Sequence, residues 1–93
     1  MIYLVEDDNA IRELVTYTLN STGLQSRGFP DPVEFWAAMK AEMPSLIMLD
    51  IMLPGEDGLQ ILKKLRADPR TEAIPVMMLT AKVLLCANTS VGF

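Results

Sequence analysis

The sequence predicts an open α/β fold with a doubly wound parallel sheet. Three segments, Ile2–Val5, Ser45–Asp50 and Val76–Thr80, are apolar without polar alternation, as is typical of strands buried on both faces. Stretches with helical spacing separate them, so the order is β-α-β-α-β-α-β once a shorter strand is included. Right-handed crossovers in such a chain place helices on both faces of the sheet.

The first strand covers residues 2–6 and leads into a helix over about residues 9–22. Asp7, Asp8 or Asn9 can act as its N-cap, and Gly23 is a natural residue just past its end. The helix carries an apolar stripe at helical spacing, made of Ala10, Ile11, Leu14, Val15, Thr18 and Leu19. Its charged residues Arg12 and Glu13 are expected on a solvated face.

A second strand is predicted over residues 24–29. The next helix has a clear start, with Asp31 as N-cap, Pro32 at the first helical position and Glu34 reaching back. It is expected to end near Glu42.

A third helix is predicted over residues 58–67, with an inward-facing set made of Leu59, Ile61, Leu62 and Leu65. Ile74 and Pro75 then lead into the fourth strand. The segment after Lys82 is apolar without a clear period and then turn-like. A short strand, an appendage and non-native sequence all remain open for it.

Composition excludes several classes of protein. The 93 residues make one domain at most, and 51% of them are hydrophobic, as in a globular protein. The net charge of −4, with no basic stripe, argues against direct contact with nucleic acid. The single cysteine, Cys86, excludes an internal disulfide and fits a reducing compartment. No apolar run reaches membrane-spanning length and no signal peptide is evident, so no membrane contact and a cytoplasmic location are expected.

Acidic residues close two of the predicted strands. Glu6 and Asp7 follow the first strand and Asp50 ends the third. The carboxyl edge of an open α/β sheet is where such folds build their sites. Clustered carboxylates repel one another unless a cation lies between them, and hard oxygen ligands suit Mg²⁺. The alternative is that the aspartates near residue 7 only cap a helix and that Asp50 bonds its own loop.

Thr80 ends the fourth strand and is followed by Ala81. A hydroxyl at a strand end, next to a small residue, suits contact with a phosphoryl oxygen. β-branched strand propensity or helix capping explains a threonine there equally well.

Together, three motifs in order resemble the receiver domain of bacterial two-component response regulators. The sequence around Asp50 and Thr80 is most similar to transcription factors of the OmpR/PhoB type. They are Leu4–Asp8, Met48–Gly55 with Asp57 and Gly58, and Ile74–Lys82. The resemblance covers residues 2–82 and implies the flavodoxin-like (CheY-like) receiver fold, with strand order 2-1-3-4. It also implies a switch domain rather than an enzyme, phosphorylated by a sensor histidine kinase.

By this resemblance, Asp50 is the phosphoryl acceptor. Asp7 and Asp50 are direct Mg²⁺ ligands, the backbone carbonyl of Met52 completes the metal site, and Glu6 acts through a bound water. Asp8 is left outside the metal shell as a cap of the first helix.

The resemblance also assigns residues beside the phosphoryl group. Thr80 matches the switch hydroxyl, and Ala81 lies next to it at the phosphoryl contact. The side chains of Met52 and Lys82 occupy positions that modulate access and dephosphorylation.

After Lys82 the family pattern is absent. A receiver continues with a helix, a fifth strand ending in Lys-Pro and a last helix. We therefore expect residues 1–82 to be an incomplete receiver and residues 83–93 to be a segment outside the family. The output of such a receiver is expected to be impaired. The strand Val76–Leu79 would then lie at an open edge, which invites pairing. Either the last segment covers that edge or two chains pair there as a homodimer. Apolar surface on the first helix would also be uncovered.

Two other functions compete with the switch. A small Mg²⁺-dependent phosphohydrolase would use Asp50 as nucleophile, but such enzymes usually place an acid two residues later, where this chain has Met52. A non-signalling interaction fragment that titrates a partner is the other alternative.

Overall fold

The computed structural model describes residues 1–79 and the backbone of residues 84–86. Its elements, in chain order, are β1 (Ile2–Val5), α1 (Asn9–Ser21), β2 (Ser26–Phe29), α2 (Pro32–Ala41), β3 (Leu46–Asp50), α3 (Gly58–Ala67), β4 (Val76–Leu79) and β5 (Leu84–Cys86). The predicted alternation of strands and helices is confirmed, and the bounds of α3 agree with the prediction at both ends.

The sheet has the order β2-β1-β3-β4-β5. The first four strands are parallel, which confirms the predicted order 2-1-3-4. β1 lies between β2 and β3. Val5 pairs with Phe29 of β2 on one side and with Leu49 of β3 on the other. The order therefore reverses next to the ends of β1 and β3, where an open α/β sheet forms its crevice.

A short strand, β5, lies beside β4 in the sheet. β5 pairs with β4 in the antiparallel direction, with Leu85 opposite Met78. Only four residues separate the two strands, whereas a parallel connection needs a crossover of a dozen residues or more. The first alternative predicted for the open edge, coverage by the last segment of the same chain, is thus confirmed for residues 84–86.

Strand side chains alternate between two apolar layers. Tyr3, Val5, Ile47 and Leu49 point to one face, where they pack with residues of α2 and α3 such as Phe35, Met39, Ile61 and Leu65. Ile2, Leu4 and Met48 point to the other face, towards Val15 and Leu19 of α1. The first layer contains an aromatic cluster in which the rings of Tyr3 and Phe29 lie 5.0 Å apart, edge to face.

An aspartate caps each of the three helices found in the described residues. The side chains of Asp8, Asp31 and Asp57 accept hydrogen bonds from backbone N–H groups in the first turns of α1, α2 and α3. Asp57 also forms a capping box with Gln60, whose side chain accepts from the Asp57 N–H at 2.9 Å. The predicted caps of α1 and α2 are confirmed, and Gly23 with φ +88° follows the end of α1 as expected.

The apolar stripe of α1 is less buried than the sequence suggests. Val15 and Leu19 are half-buried against the sheet, but Leu14 is 65% exposed and Tyr17 is 72% exposed. No residue of α1 is fully buried, because no second helix among the described residues packs beside α1 on this face. The prediction of uncovered apolar surface on the first helix is confirmed. In α3, the inward placement of Leu59 is wrong, because this residue is exposed at the first turn of the helix.

Within the described residues, no helix has the length and apolar character needed to span a bilayer.

Candidate functional site

Three carboxylates meet at the carboxyl edge of the sheet. Glu6 follows β1 directly, and Asp50 is the last residue of the neighbouring strand β3. The pairing of Val5 with Leu49 brings the next residues of both strands, Glu6 and Asp50, side by side. Carboxylate oxygens of Glu6, Asp7 and Asp50 all lie within 4.8 Å of one another. The sequence prediction that these three acids cluster is therefore confirmed.

Glu6 is the most buried member of this acidic cluster. It is only 4% exposed, whereas Asp50 is half-buried and Asp7 is exposed. Burial, a hydrogen bond that protonated Glu6 donates to Asp50, and repulsion from the charges on Asp50 and Asp7 raise the pKa of Glu6 from 4.5 to about 7. A hydrogen bond from the Asp8 N–H at 3.2 Å opposes this shift. Glu6 therefore carries a proton in part of the molecules near neutral pH.

The backbone around Glu6 is held from two sides. Its N–H donates to the carbonyl of Phe29 at 3.1 Å, which continues the pairing of β1 with β2. The Arg12 guanidinium donates to the Glu6 carbonyl at 2.8 Å. Arg12 is half-buried, so its assignment to a solvated helix face is wrong: its stem passes so close to Gly28 that a Cβ there would meet it. This contact fixes the direction in which the Glu6 side chain leaves β1.

Asp8 has a different role from its two acidic neighbours. Its Oδ1 accepts from the Ile11 N–H at 3.0 Å and caps α1. This confirms its assignment as a cap. Asp7, one residue earlier, is left free to face Asp50.

The loop after β3, residues 51–57, closes the other side of the cluster. The Met52 N–H donates to Asp50 Oδ1 at 3.0 Å, which turns the carboxylate toward the start of the loop. The Gly58 N–H donates to the Ile51 carbonyl at 3.1 Å and brings the first residue of α3 against β3. A Cβ at Gly58 would overlap the Asp50 carbonyl oxygen, so only glycine permits this close approach. Sequence reasoning found Gly58 only as part of a motif and missed this role.

The acidic cluster has no basic partner within the described residues. The ion pairs found there join Lys64 to Glu56 and Arg70 to Asp68, and neither involves Glu6, Asp7 or Asp50. Three carboxylates so close together favour a bound divalent cation with hard oxygen coordination. The residues present therefore fit a Mg²⁺ ion.

The remaining site residues of the sequence analysis divide into two groups. Met52 contacts Asp50 through its backbone N–H, and the residue is 79% exposed; its role in access to Asp50 stays a prediction. Thr80, Ala81 and Lys82 lie outside the described residues.

A doubly wound parallel sheet with an acidic cluster at its switch point defines a class of α/β domain that binds small charged groups at the strand ends. Comparison with known proteins gives the family. The model of the response regulator receiver domain family matches residues 2–87. The chain belongs to this family, the receiver domains of two-component systems.

Curated relatives are transcriptional regulators. The chain is 42% identical over 80 residues to the DNA-binding dual master transcriptional regulator RpaA of Synechocystis, covering 86% of this chain and 33% of that protein. It is 41% identical over 81 residues to the phosphate regulon transcriptional regulatory protein PhoB of Escherichia coli, covering 87% and 35%. The chain thus spans about a third of the length of these relatives.

Solved structures agree with the fold. The N-terminal domain of a response regulator receiver protein from Methanoculleus marisnigri superimposes with a TM-score of 0.82 at 36% identity, over 87% of this chain and 66% of that one. The chemotaxis protein CheY4 of Vibrio cholerae gives a TM-score of 0.81 at 26% identity, over 88% and 68%. The CheY-like receiver fold predicted from the sequence is confirmed.

Proposed function

We propose that Asp50 accepts a phosphoryl group from the phosphohistidine of a sensor histidine kinase. The observation that carries the proposal is the position of Asp50, half-buried at the end of β3 and within 4.8 Å of Glu6 and Asp7. A carboxylate oxygen of Asp50 forms the new P–O bond while the P–N bond breaks. The bonding electron pair stays with the imidazole, which takes up a proton.

The chain's own residues position the nucleophile. The Met52 N–H donates to Oδ1 of Asp50 at 3.0 Å and so orients the carboxylate that would attack. Gly58 packs against the Asp50 backbone and fixes the end of β3. Because folding already holds Asp50 in place, less entropy is lost when the phosphoryl donor reacts with it.

Mg²⁺ is the cofactor of this proposal. Asp7, Asp50 and the backbone carbonyl of Met52 would hold it, and Glu6 would act through a bound water. When bound, Mg²⁺ neutralises charge on the transferring phosphoryl group. The fit is supported by the acid cluster itself, whose mutual repulsion a divalent cation relieves.

Thr80, Ala81 and Lys82 enter the proposal through the sequence motif alone. Thr80 would donate its hydroxyl to the phosphoryl group, with Ala81 leaving room for it, and the side chains of Lys82 and Met52 would modulate its loss. Five expectations stay predictions: the division of the chain at residue 82, the impaired output, the homodimer, the cytoplasmic location and the lack of contact with nucleic acid. The names of the curated relatives favour a place for this domain in a transcriptional regulator.

The test is phosphorylation with a small phosphodonor in the presence of Mg²⁺, followed by intact mass and peptide mapping. We expect one acid-labile adduct, on Asp50. Asp50→Asn should abolish it, and removal of Mg²⁺ with a chelator should do the same. The matched control is Asp57→Asn, a second carboxylate-to-amide change close to the site that leaves a good helix N-cap.

Three results would contradict the proposal. An adduct that survives Asp50→Asn would place the acceptor elsewhere. No adduct on the folded wild-type protein would favour the interaction fragment. Repeated turnover of phosphoesters would favour the phosphohydrolase.

A further inference from the structure

A carboxylate outside the acidic cluster joins three elements of the fold. Glu56 lies in the loop between β3 and α3, and its Oε1 accepts a hydrogen bond from the Trp36 indole N–H of α2 at 2.8 Å. Its Oε2 forms an ion pair with Lys64 of α3. The Glu56 side chain is 18% exposed, so both contacts are partly shielded from water. This set, Trp36, Glu56 and Lys64, is called the loop anchor below.

The loop anchor holds the middle of residues 51–57. The loop ends are fixed independently, by the Met52 N–H on Asp50, by the Gly58 N–H on Ile51 and by the buried side chain of Leu53. Between these ends, the backbone turns through Gly55 with φ +79°, a conformation that glycine adopts without steric cost. Glu56 directly follows that turn.

The charges of the loop anchor agree with a holding role. Burial alone would raise the pKa of Glu56, but the contacts from Lys64 and Trp36 outweigh it and lower the pKa. Glu56 is therefore ionised at neutral pH. Because most of the Lys64 side chain is exposed, the ion pair is screened by water. The indole hydrogen bond, which is part-buried, is the more specific of the two contacts.

We infer that Glu56 is a positioning residue for the metal site. By tying the loop to Trp36 of α2, it adds to the Met52 N–H contact in keeping the Met52 backbone beside Asp50, and it transmits the state of the site to the indole. The inference rests on the proposed function, because the Met52 carbonyl is a ligand only there. Its physical precedent is that groups which orient ligands typically change metal affinity tenfold or more when removed.

The probe is Mg²⁺ alone, with two readouts on the full chain. Trp36 is the only tryptophan, so its fluorescence reports the loop anchor without ambiguity. The Mg²⁺ affinity is obtained separately from the rise in melting temperature with Mg²⁺ concentration, followed by circular dichroism. We expect the two readouts to give the same affinity in the wild-type protein.

The variants separate charge from hydrogen bonding. Glu56→Ala and Glu56→Gln remove the same charge, but only glutamine keeps an oxygen that accepts from the indole. We expect Glu56→Ala to weaken Mg²⁺ binding about tenfold and to abolish the fluorescence response, whereas Glu56→Gln restores most of both. Trp36→Phe removes the donor and should weaken Mg²⁺ binding as Glu56→Ala does. Glu13→Gln, an exposed carboxylate on α1, should change neither readout.

The outcomes are distinguishable. If the wild-type protein is not stabilised by Mg²⁺, the metal site of the proposed function is refuted, and the positioning role with it. If Mg²⁺ stabilises the wild type, but Glu56→Ala and Trp36→Phe lower the melting temperature without weakening Mg²⁺ binding, only the positioning role is refuted. Equal weakening in Glu56→Ala and Glu56→Gln would assign the effect to charge and would also overturn it.

Discussion

The burial of Glu6 predicts an unusual pH dependence of stability for the metal-free protein. In the unfolded chain this carboxyl releases its proton near 4.5, whereas in the fold it does so at about 7. Between these values the folded state holds a proton that the unfolded state has lost. The contribution of Glu6 to the free energy of unfolding therefore decreases as the pH rises through this window, and the loss is complete above it.

The magnitude follows from the two pKa values. Each pKa unit corresponds to about 1.4 kcal/mol, so a shift from 4.5 to about 7 sets an upper bound of roughly 3 kcal/mol. Because the Asp50 charge contributes to the shift, part of the cost belongs to the pair rather than to Glu6 alone. We therefore expect Glu6→Gln, which imitates the protonated form, to stabilise the metal-free protein by on the order of 2 kcal/mol at about pH 8 and by little at about pH 5.

Urea denaturation with a chelator present, at both pH values, measures this difference. Glu13→Gln is the control, because an exposed carboxylate should change the free energy of unfolding little at either pH. With Mg²⁺ added at the higher pH, the order should reverse, because the wild-type protein gains stabilisation that Glu6→Gln lacks. A stabilisation by Glu6→Gln that is the same at both pH values would refute the assignment of the raised pKa to Glu6.

Two further substitutions test the packing that supports the site. Gly58→Ala places a Cβ on the Asp50 carbonyl, where only backbone atoms lie. Urea denaturation should therefore show that the free energy of unfolding falls by about 2 kcal/mol, and phosphorylation of Asp50 should slow. Unchanged stability would mean that the close approach of α3 to β3 is not required. Tyr3→Phe removes the hydroxyl that donates to the Glu42 carbonyl at 2.7 Å. The free energy of unfolding should fall by about 1 kcal/mol, and phosphorylation of Asp50 should be unaffected. Slower phosphorylation would show that this end of α2 communicates with the site.

The helix starts show what local sequence can predict. Asp8 and Asp31 act as caps because their side chains reach backbone N–H groups only three residues away. Nothing distant in the chain enters that geometry, so the sequence pattern is sufficient. The start of α3 follows from the same chemistry at Asp57.

The burial of α1 shows where local sequence is insufficient. Apolar residues at helical spacing predict a helix, but they do not say how many neighbours the helix has. Leu14 and Tyr17 are exposed because the described part of the chain places no other helix on their side of the sheet. Leu59 is exposed for a related reason: it lies in the first turn of α3, on the side away from Ile61 and the sheet.

The candidate site divides in the same way. That Glu6, Asp7 and Asp50 meet could be predicted, because parallel strands bring their carboxyl ends to one edge. That Glu6 is the buried member could not be predicted. Its burial depends on Arg12 holding the carbonyl from α1 and on Phe29 receiving the N–H from β2. The loop anchor depends on Trp36 and Glu56, twenty residues apart, and no local pattern joins them.

The acidic cluster also links stability to function. A carboxylate that is hard to ionise makes the metal-free site costly to maintain at neutral pH, and that cost is removed when a cation is bound. Under the proposed function, relief of this repulsion would contribute to the affinity for Mg²⁺. Glu56 joins the loop that carries Met52 to α2, so it would take part in holding that loop at the metal. Under the proposed function, a change of charge on Asp50 would be reported to α2 through the loop anchor.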